Sequence, residues 1–482
     1  MTGRVIDGRV FDAEAEARAI RDAASADADV ARAEAAAARA IAERERERAA
    51  AARAEAEHVR AAAGLPAGDG VVTAVVGLLC RARCAGVTVG EIVRIARVGA
   101  RDLLAEVVGF RDEEVVLLPL GELHGVAPGA AVTATGSPLA FPCGPAVLGR
   151  VLDGLGQPID DQGPIAAPLW VVERSAPSPH ARPPISRALV TGVRSIDGFL
   201  TLGEGQRVGV FAAAGVGKST LLAQLARTAD ADVIVLGLVG ERGRELGDWL
   251  AALGPARART VVVCATSDAP SLVRVRAAAT ATAVAESFRE AGKRVLLIVD
   301  SLTRVARAQR EVGLSAGEPP ARHGYPPSVF ALLPRLVERT GTAAAPAGSI
   351  TAVYAVLVAG DDLDEPIADE VRGIVDGHII LDRRLAARGH FPPVDVLASV
   401  SRLFDRLAPE GQRVAAGRVR RWLGRYEEQR DLIAIGAYKA GSDRGLDEAI
   451  ARQPGIEAFL RQGSEEVSSI ETTQARLGEI SR

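Results

Sequence analysis

The 482-residue chain is predicted to be a multidomain α+β protein: an N-terminal β-barrel, a central α/β domain on a largely parallel sheet and a C-terminal helical domain, preceded by one long helix. Three changes along the chain predict this. Residues 12–63 are almost all Ala, Glu, Arg and Asp, with no Gly or Pro before Gly64-Leu65-Pro66. Short Val/Ile/Leu runs broken by Gly then continue to about Pro138. Beyond them, near-continuous apolar runs alternate with helix-compatible stretches until about residue 400. The boundaries drawn are 1–63 for the helical extension, 64–138 for the barrel, 139–400 for the α/β domain and 401–482 for the helical domain. At roughly 100–200 residues per domain, the length accommodates these three folded units.

The extension is helical because Ala, Glu and Arg are strong helix formers. Val30 and Ile41 are eleven residues apart, in phase with Ala19, Ala52 and Ala63. Such a repeat winds a right-handed supercoil. With Ala this frequent, a solvated single helix fits as well as a partner-binding coiled coil.

In the next segment, Val71–Leu79, Val87–Ile95, Leu103–Phe110, Val115–Leu120 and Ala130–Ala134 read as five or six strands at the spacing of a small closed barrel. A Pro/Gly-rich passage with Gly149-Arg150-Val151-Leu152-Asp153-Gly154-Leu155-Gly156 follows, then the loop 176–184. The runs Arg207–Phe211, Val233–Gly240, Thr260–Cys264, Val295–Val299 and Ile350–Val358 are almost entirely apolar, as strands covered on both faces are. Residues 401–482 return to helical composition.

Composition narrows the partners and the compartment. The formal charge is −3 at pH 7, so no whole-molecule positive field favours nucleic acid. Four Cys in a chain this long indicate a reducing compartment. Cys80 and Cys84 are spaced C-x3-C without a second half and read as buried thiols rather than a zinc site. There is no uncharged apolar run of about 18 residues and no apolar signal core, which predicts a cytoplasmic or membrane-peripheral protein. Only Lys218, Lys293 and Lys439 among the 58 basic residues are Lys, and Met1 is the single Met.

One of those lysines lies in a loop with a chemical reason to keep it. Gly215-Val216-Gly217-Lys218-Ser219-Thr220 follows the strand Val208–Phe211 and opens the helix-compatible run Leu221–Arg227. Backbone N–H groups at a helix N-terminus surround phosphates, a lysine reaches the β/γ oxygens, and a hydroxyl at the Ser219 position holds Mg2+. The site is therefore read as binding the phosphates of a nucleotide with Mg2+. One departure stands out: Ala212 occupies the first Gly of the usual G-x-x-x-x-G-K-[ST], followed by Ala213 and Ala214, which would be strained if those positions were left-handed. Further on, the apolar strand Arg294–Val299 ends in Asp300, placed to face the loop and bind Mg2+ through water. Glu241, in Gly240-Glu241-Arg242-Gly243-Arg244-Glu245, also ends a strand. It can orient an attacking water for in-line hydrolysis, or be part of a salt-bridged surface turn.

Gly240 through Glu245, Asp300-Ser301-Leu302-Thr303-Arg304 through Ala308-Gln309-Arg310-Glu311, Gly317-Glu318-Pro319-Pro320, Gly324-Tyr325-Pro326-Pro327-Ser328-Val329-Phe330 and the stretch from Asp361-Asp362 to Glu370-Val371-Arg372 resemble the ATPase of type III secretion and flagellar export. That family is related to the catalytic subunit of F-type ATP synthases. The resemblance covers about residues 69–465 and implies a RecA-like central domain. It implies that Lys218 and Ser219 bind phosphate and Mg2+, and that Glu241 is the catalytic carboxylate. It implies that Arg372 is an arginine finger reaching the neighbouring subunit of a homohexamer, although without the resemblance the residues favour a surface helix Arg paired with Glu370 or Asp369. Phe391, in Gly389-His390-Phe391-Pro392-Pro393, stands where the family usually has a Tyr stacked on adenine, so the aromatic face is kept.

The function implied is ATP hydrolysis that releases export substrates from chaperones, unfolds them and delivers them to a membrane export gate. The implied partners are chaperone–substrate complexes, a central stalk and a stator-like regulator, with the protein peripheral at the inner face of the membrane. Gly3-Arg4-Val5-Ile6 leading into the Ala/Glu/Arg helix is similar to the start of that regulator, so residues 1–63 are expected to tether the ATPase to cytoplasmic parts of the machine. Two other readings compete: a nucleotide-binding structural subunit that does not hydrolyse, and a hexameric RNA translocase. The second is disfavoured by the acidic charge and by a barrel lacking interleaved aromatic and basic residues.

Overall fold

A computed structural model of the protein describes residues 4–6, 9–11, 43 and 69–482. The expected helix over 12–63 lies outside the described residues apart from Glu43, which is helical. Ahead of it, Arg4–Ile6 and Arg9–Phe11 pair antiparallel.

The barrel closes from six strands, in the spatial order Asp69–Val76, Leu79–Arg83, Glu114–Pro119, Leu103–Arg111, Glu91–Ile95 and Ala131–Pro138. All of its pairings are antiparallel. The run read as one strand, Val71–Leu79, is a hairpin: Gly77 adopts φ 61°, a conformation that turns the chain back and that L side chains avoid. The second expected run, Val87–Ile95, shortens to Glu91–Ile95 because Gly90 is also left-handed and Glu91 turns inward. The Glu91 carboxylate is satisfied there by the backbone N–H of Gly136 at 2.7 Å and of Thr88 at 3.1 Å. Val72, Cys80, Val93, Ile95, Ala105, Val107, Leu117 and Val132 fill the barrel interior. Cys80 is thus a buried thiol, as are Cys143 and Cys264, whereas Cys84, read as buried beside Cys80, is only half-buried.

The central sheet runs in the order Val151–Asp153, Thr260–Thr266, Val233–Glu241, Arg294–Asp300, Ser349–Leu357, Arg207–Ala212, Gly377–Leu381 and Val400–Ser401, with Gly341–Thr342 paired beside Ser349–Leu357. Its first seven strands are parallel. The apolar runs are covered on both faces: all nine residues of Val233–Glu241 are buried, and so is every residue of Arg294–Asp300 after the first. Val151–Asp153, read as part of a connecting passage, is instead the edge strand. The Asp160 carboxylate fixes it with a bidentate pair to Arg150, 2.8 Å at each oxygen, and accepts the Val151 N–H at 2.9 Å.

The helices Glu410–Ala434, Arg444–Leu460 and Ile470–Ile480 complete the chain. Their apolar faces share one core with the sheet: Phe199, Leu221, Leu236, Trp422, Leu446 and Phe459 belong to a single buried cluster. Phe199 meets Phe459 edge to face with centroids 6.0 Å apart. No described helix is long and apolar enough to cross a membrane.

Candidate nucleotide site

In a parallel sheet every strand delivers its C-terminal end to the same edge, so residues far apart in sequence collect there. Three strands of this sheet carry the site: Arg207–Ala212 leads into the loop, Val233–Glu241 ends in Glu241, and Arg294–Asp300 ends in Asp300.

The loop turns through Gly215 at φ 79° and Gly217 at φ 101°, conformations natural to glycine alone. Ala212, Ala213 and Ala214 are not among the left-handed residues, so the alanines impose no backbone strain. The strain that left-handed positions would have imposed there is absent. Val216 is buried and anchors the loop, while Ser219 and Thr220 are exposed on the first turn of the helix Lys218–Thr228. Gly217 is the N-cap and offers no side-chain acceptor. The first-turn N–H groups therefore remain available to an anion, favoured further by the helix dipole.

Lys218 is buried, and its ammonium donates to Asp300 Oδ1. The second oxygen of Asp300, Oδ2, is buried without a hydrogen-bond partner, as is the Ser301 hydroxyl. An orphaned carboxylate oxygen is a costly group unless a ligand engages it. It is also the hard donor that Mg2+ prefers, with water and phosphate oxygens supplying the other ligands. The donor set thus fits Mg2+ bound together with a nucleotide.

Glu241 is 7% exposed, and a register shift after Val239 re-aims the strand end that carries it. Arg304 reaches back one turn into the helix Leu302–Ser315, pairing with Glu241 Oε2 at 3.1 Å and donating to the Gly240 carbonyl. Burial holds the Glu241 carboxyl well above the ordinary carboxylate range, helped by a hydrogen bond shared with Glu245 and by the negative Asp300, while Arg304 and Lys218 oppose the shift. Glu245 is held low as the accepting partner of that bond. The Glu241 carboxyl is thus ion-paired but buried at the strand end rather than lying at the surface.

Phe391 is half-exposed and lies over the loop: its ring edge is 3.7 Å from where a Cβ on Gly217 would stand. Arg372, on the helix Pro366–Ile374, is paired within its own chain to Asp369 at 3.2 Å and Asp364 at 3.3 Å. Asp369 also binds Arg322 at 3.2 Å. Arg402 follows the edge strand Val400–Ser401, is exposed, and has no ion-pair partner among the described residues. Burial lowers the His378 pKa, a hydrogen bond with the Ala398 carbonyl opposes the shift, and the charges of Arg372 and Arg402 add to the lowering. Sequence reasoning passed over Arg304 and Arg402. Arg304 carries a usable signal, because four residues beyond Asp300 put it on the first helical turn facing the strand ends. Arg402 carries none, since its freedom from carboxylates is a property of the fold.

Together, the parallel sheet, the glycine turn at a helix N-terminus and the convergent Lys218, Asp300 and Glu241 define a P-loop nucleotide-binding protein. Residues 192–401 match the nucleotide-binding domain of the ATP synthase alpha/beta family, 72–136 its beta-barrel domain, and 408–479 the T3SS EscN ATPase C-terminal domain. The chain is 51% identical over 408 residues to a type 3 secretion system ATPase of Xanthomonas euvesicatoria, covering 84% of this chain and 92% of that one. It is 54% identical over 401 residues to a flagellum-specific ATP synthase of Treponema pallidum, covering 82% and 89%. The assembled ATPase EscN from the enteropathogenic E. coli type III secretion system superposes with a TM-score of 0.81 at 41% identity, over 86% of this chain and all of that one. EscN in complex with its central stalk EscO gives 0.79. The chain belongs to the family of type III secretion and flagellar export ATPases.

Proposed function

We propose that this chain hydrolyses ATP to energise protein export, as a Mg2+-dependent homohexamer seated on a central stalk. The observation that carries the reading is the buried Glu241 carboxyl held by Arg304 beside the Lys218–Asp300 pair, because a subunit that only binds nucleotide has no need of such a carboxyl. In this reading the amides of Gly215–Thr220 cradle the phosphates, Lys218 neutralises the β/γ oxygens, Phe391 stacks on adenine and Glu241 orients the attacking water. Ser219 and Asp300 hold Mg2+, which when bound neutralises charge developing on the phosphates. The chain then acts at the cytoplasmic face of the membrane, releasing substrates from chaperones for delivery to an export gate.

A guanidinium supplied by the neighbouring subunit completes the site, and Arg372 and Arg402 are the two candidates for it. Inside one chain Arg372 is engaged by two carboxylates and is freed only if the interface displaces them, whereas Arg402 has no ion-pair partner among the described residues. ATPase rate per subunit is therefore expected to rise with protein concentration and level off once the ring is assembled. A rate independent of concentration through the dissociation range overturns the shared site.

Residues 1–63 are assigned a tethering role toward cytoplasmic components of the export machine. Deleting them is expected to abolish co-purification with those components and to spare turnover; unchanged co-purification ends the assignment.

A further inference from the structure

We propose that Gln462 and Arg194 are positioning residues through which the C-terminal helical domain sets nucleotide affinity. The proposal deepens the reading in which Phe391 stacks on the base, and rests on it.

Phe391 sits in a surface loop whose flanks are held locally, by His390 N–H donating to the Leu385 carbonyl at 3.0 Å and Asp382 N–H to the Pro393 carbonyl at 2.9 Å, but the Phe391 carbonyl itself is engaged from elsewhere. That further restraint comes from the far end of the chain. The backbone N–H of Gln462 donates to the Phe391 carbonyl at 2.8 Å. Gln462 is 4% exposed, and every polar atom of its side chain is used. Its Nε2 donates to the Gly192 carbonyl at 2.7 Å and the Glu466 carbonyl at 2.8 Å, and its Oε1 accepts the Arg194 N–H at 2.8 Å.

Arg194 is itself buried, with a guanidinium that donates to the carbonyls of Phe459 and Arg461 and to the Glu466 carboxylate. A buried guanidinium needs such a shell, so the segment 459–466 has little freedom to shift without stranding a charge. The same segment grips the phosphate-loop helix. Gln224, 2% exposed, donates to the carbonyls of Gly463 at 3.3 Å and Glu466 at 3.2 Å, and Arg227 donates to Ser464 O at 2.6 Å. One buried polar hub thus joins the loop carrying Phe391, the helix that opens with Lys218, and the end of the helix Arg444–Leu460. Movement of the helical domain must either carry the base-side loop with it or break the hub, and either changes how tightly nucleotide is held.

The test compares Gln462→Leu, Arg194→Lys and Phe391→Ala in the full chain, reading the Kd of an ATP analogue carrying a ribose-linked fluorophore, with KM and kcat alongside. Gln462→Leu is expected to raise Kd and KM by about 5–30-fold, as when a satisfied buried polar set loses its partners, with a much smaller fall in kcat. Arg194→Lys retains the charge but loses the fork, and is expected to fall between Gln462→Leu and wild type. If Phe391→Ala weakens binding while Gln462→Leu does not, the hub proposal is overturned. If neither changes Kd, the stacking reading fails and takes the proposal with it. A fall in kcat at constant KM in Gln462→Leu also overturns it, since that is the mark of damage to chemistry rather than affinity. Should Gln462→Leu fail to fold, Gln224→Leu reads the same hub from the helix side with the same expected rise in Kd.

Discussion

Glu241→Gln is expected to lower ATP turnover by roughly 10²–10⁴-fold, the range lost when a positioned general base is removed, while nucleotide still binds. Gln keeps the volume and one acceptor oxygen but cannot take a proton from water or carry charge at the strand end. In the proposed site Lys218, Asp300 and the loop amides hold the nucleotide, whereas the Glu241 carboxylate is engaged by Arg304 and Glu245, so the loss is expected to fall on kcat. The same variant makes a thermodynamic prediction of opposite sign. Because burial and Glu245 raise the Glu241 pKa in the folded chain, its contribution to stability is full below the unfolded value of 4.5 and is lost as pH rises through the folded one. A neutral Gln escapes that loss, so at pH above the shifted value Glu241→Gln melts no lower than wild type, the usual opposition of activity and stability at a catalytic group. Turnover within a few-fold of wild type, measured with intact fluorescent-nucleotide binding, removes Glu241 from the chemistry.

What the sequence made legible follows from which interactions are local. The phosphate loop is local: a strand, two left-handed glycines and a helix N-terminus within eleven residues write the geometry into the spacing. The buried strands are legible for a related reason, since cover on both faces demands uninterrupted apolar residues, as in Val233–Glu241. Gly77 misled because a glycine within an apolar run marks a turn or a bulge equally, and only the pairing of Val76 with Leu79 decides. Val151–Asp153 was hidden among glycines because a three-residue edge strand has no periodicity to display; its pairing with Thr260–Thr266 and the Asp160–Arg150 anchor are what make it a strand. The hub at Gln462 was invisible in principle: its partners Gly192, Arg194 and Phe391 lie 270, 268 and 71 residues away, arithmetic on sequence numbers that carries no pattern.

Arg402→Ala is expected to match Glu241→Gln in severity, because a trans guanidinium stabilises charge in phosphoryl transfer by roughly 10³–10⁵-fold. Arg372→Ala separates the two arginines: if it is as severe, the interface displaces Asp364 and Asp369, and if it is mild, Arg372 is the intrachain partner its contacts describe. The decisive measurement mixes inactive subunits. In a ring whose neighbours meet head to tail, each site takes Glu241 from one subunit and the finger from the next. A ring assembled from equal amounts of Glu241→Gln and Arg402→Ala chains then contains about a quarter of sites with both groups intact, and activity reappears from two inactive proteins. Restored turnover can arise only if the two residues act across an interface, since each chain alone carries one defect in every site. A mixture as inactive as its components, in rings shown to contain both chains, places Arg402 in the same subunit's site or outside the chemistry, and the pairing of Glu241→Gln with Arg372→Ala then tests the remaining arginine by the same arithmetic.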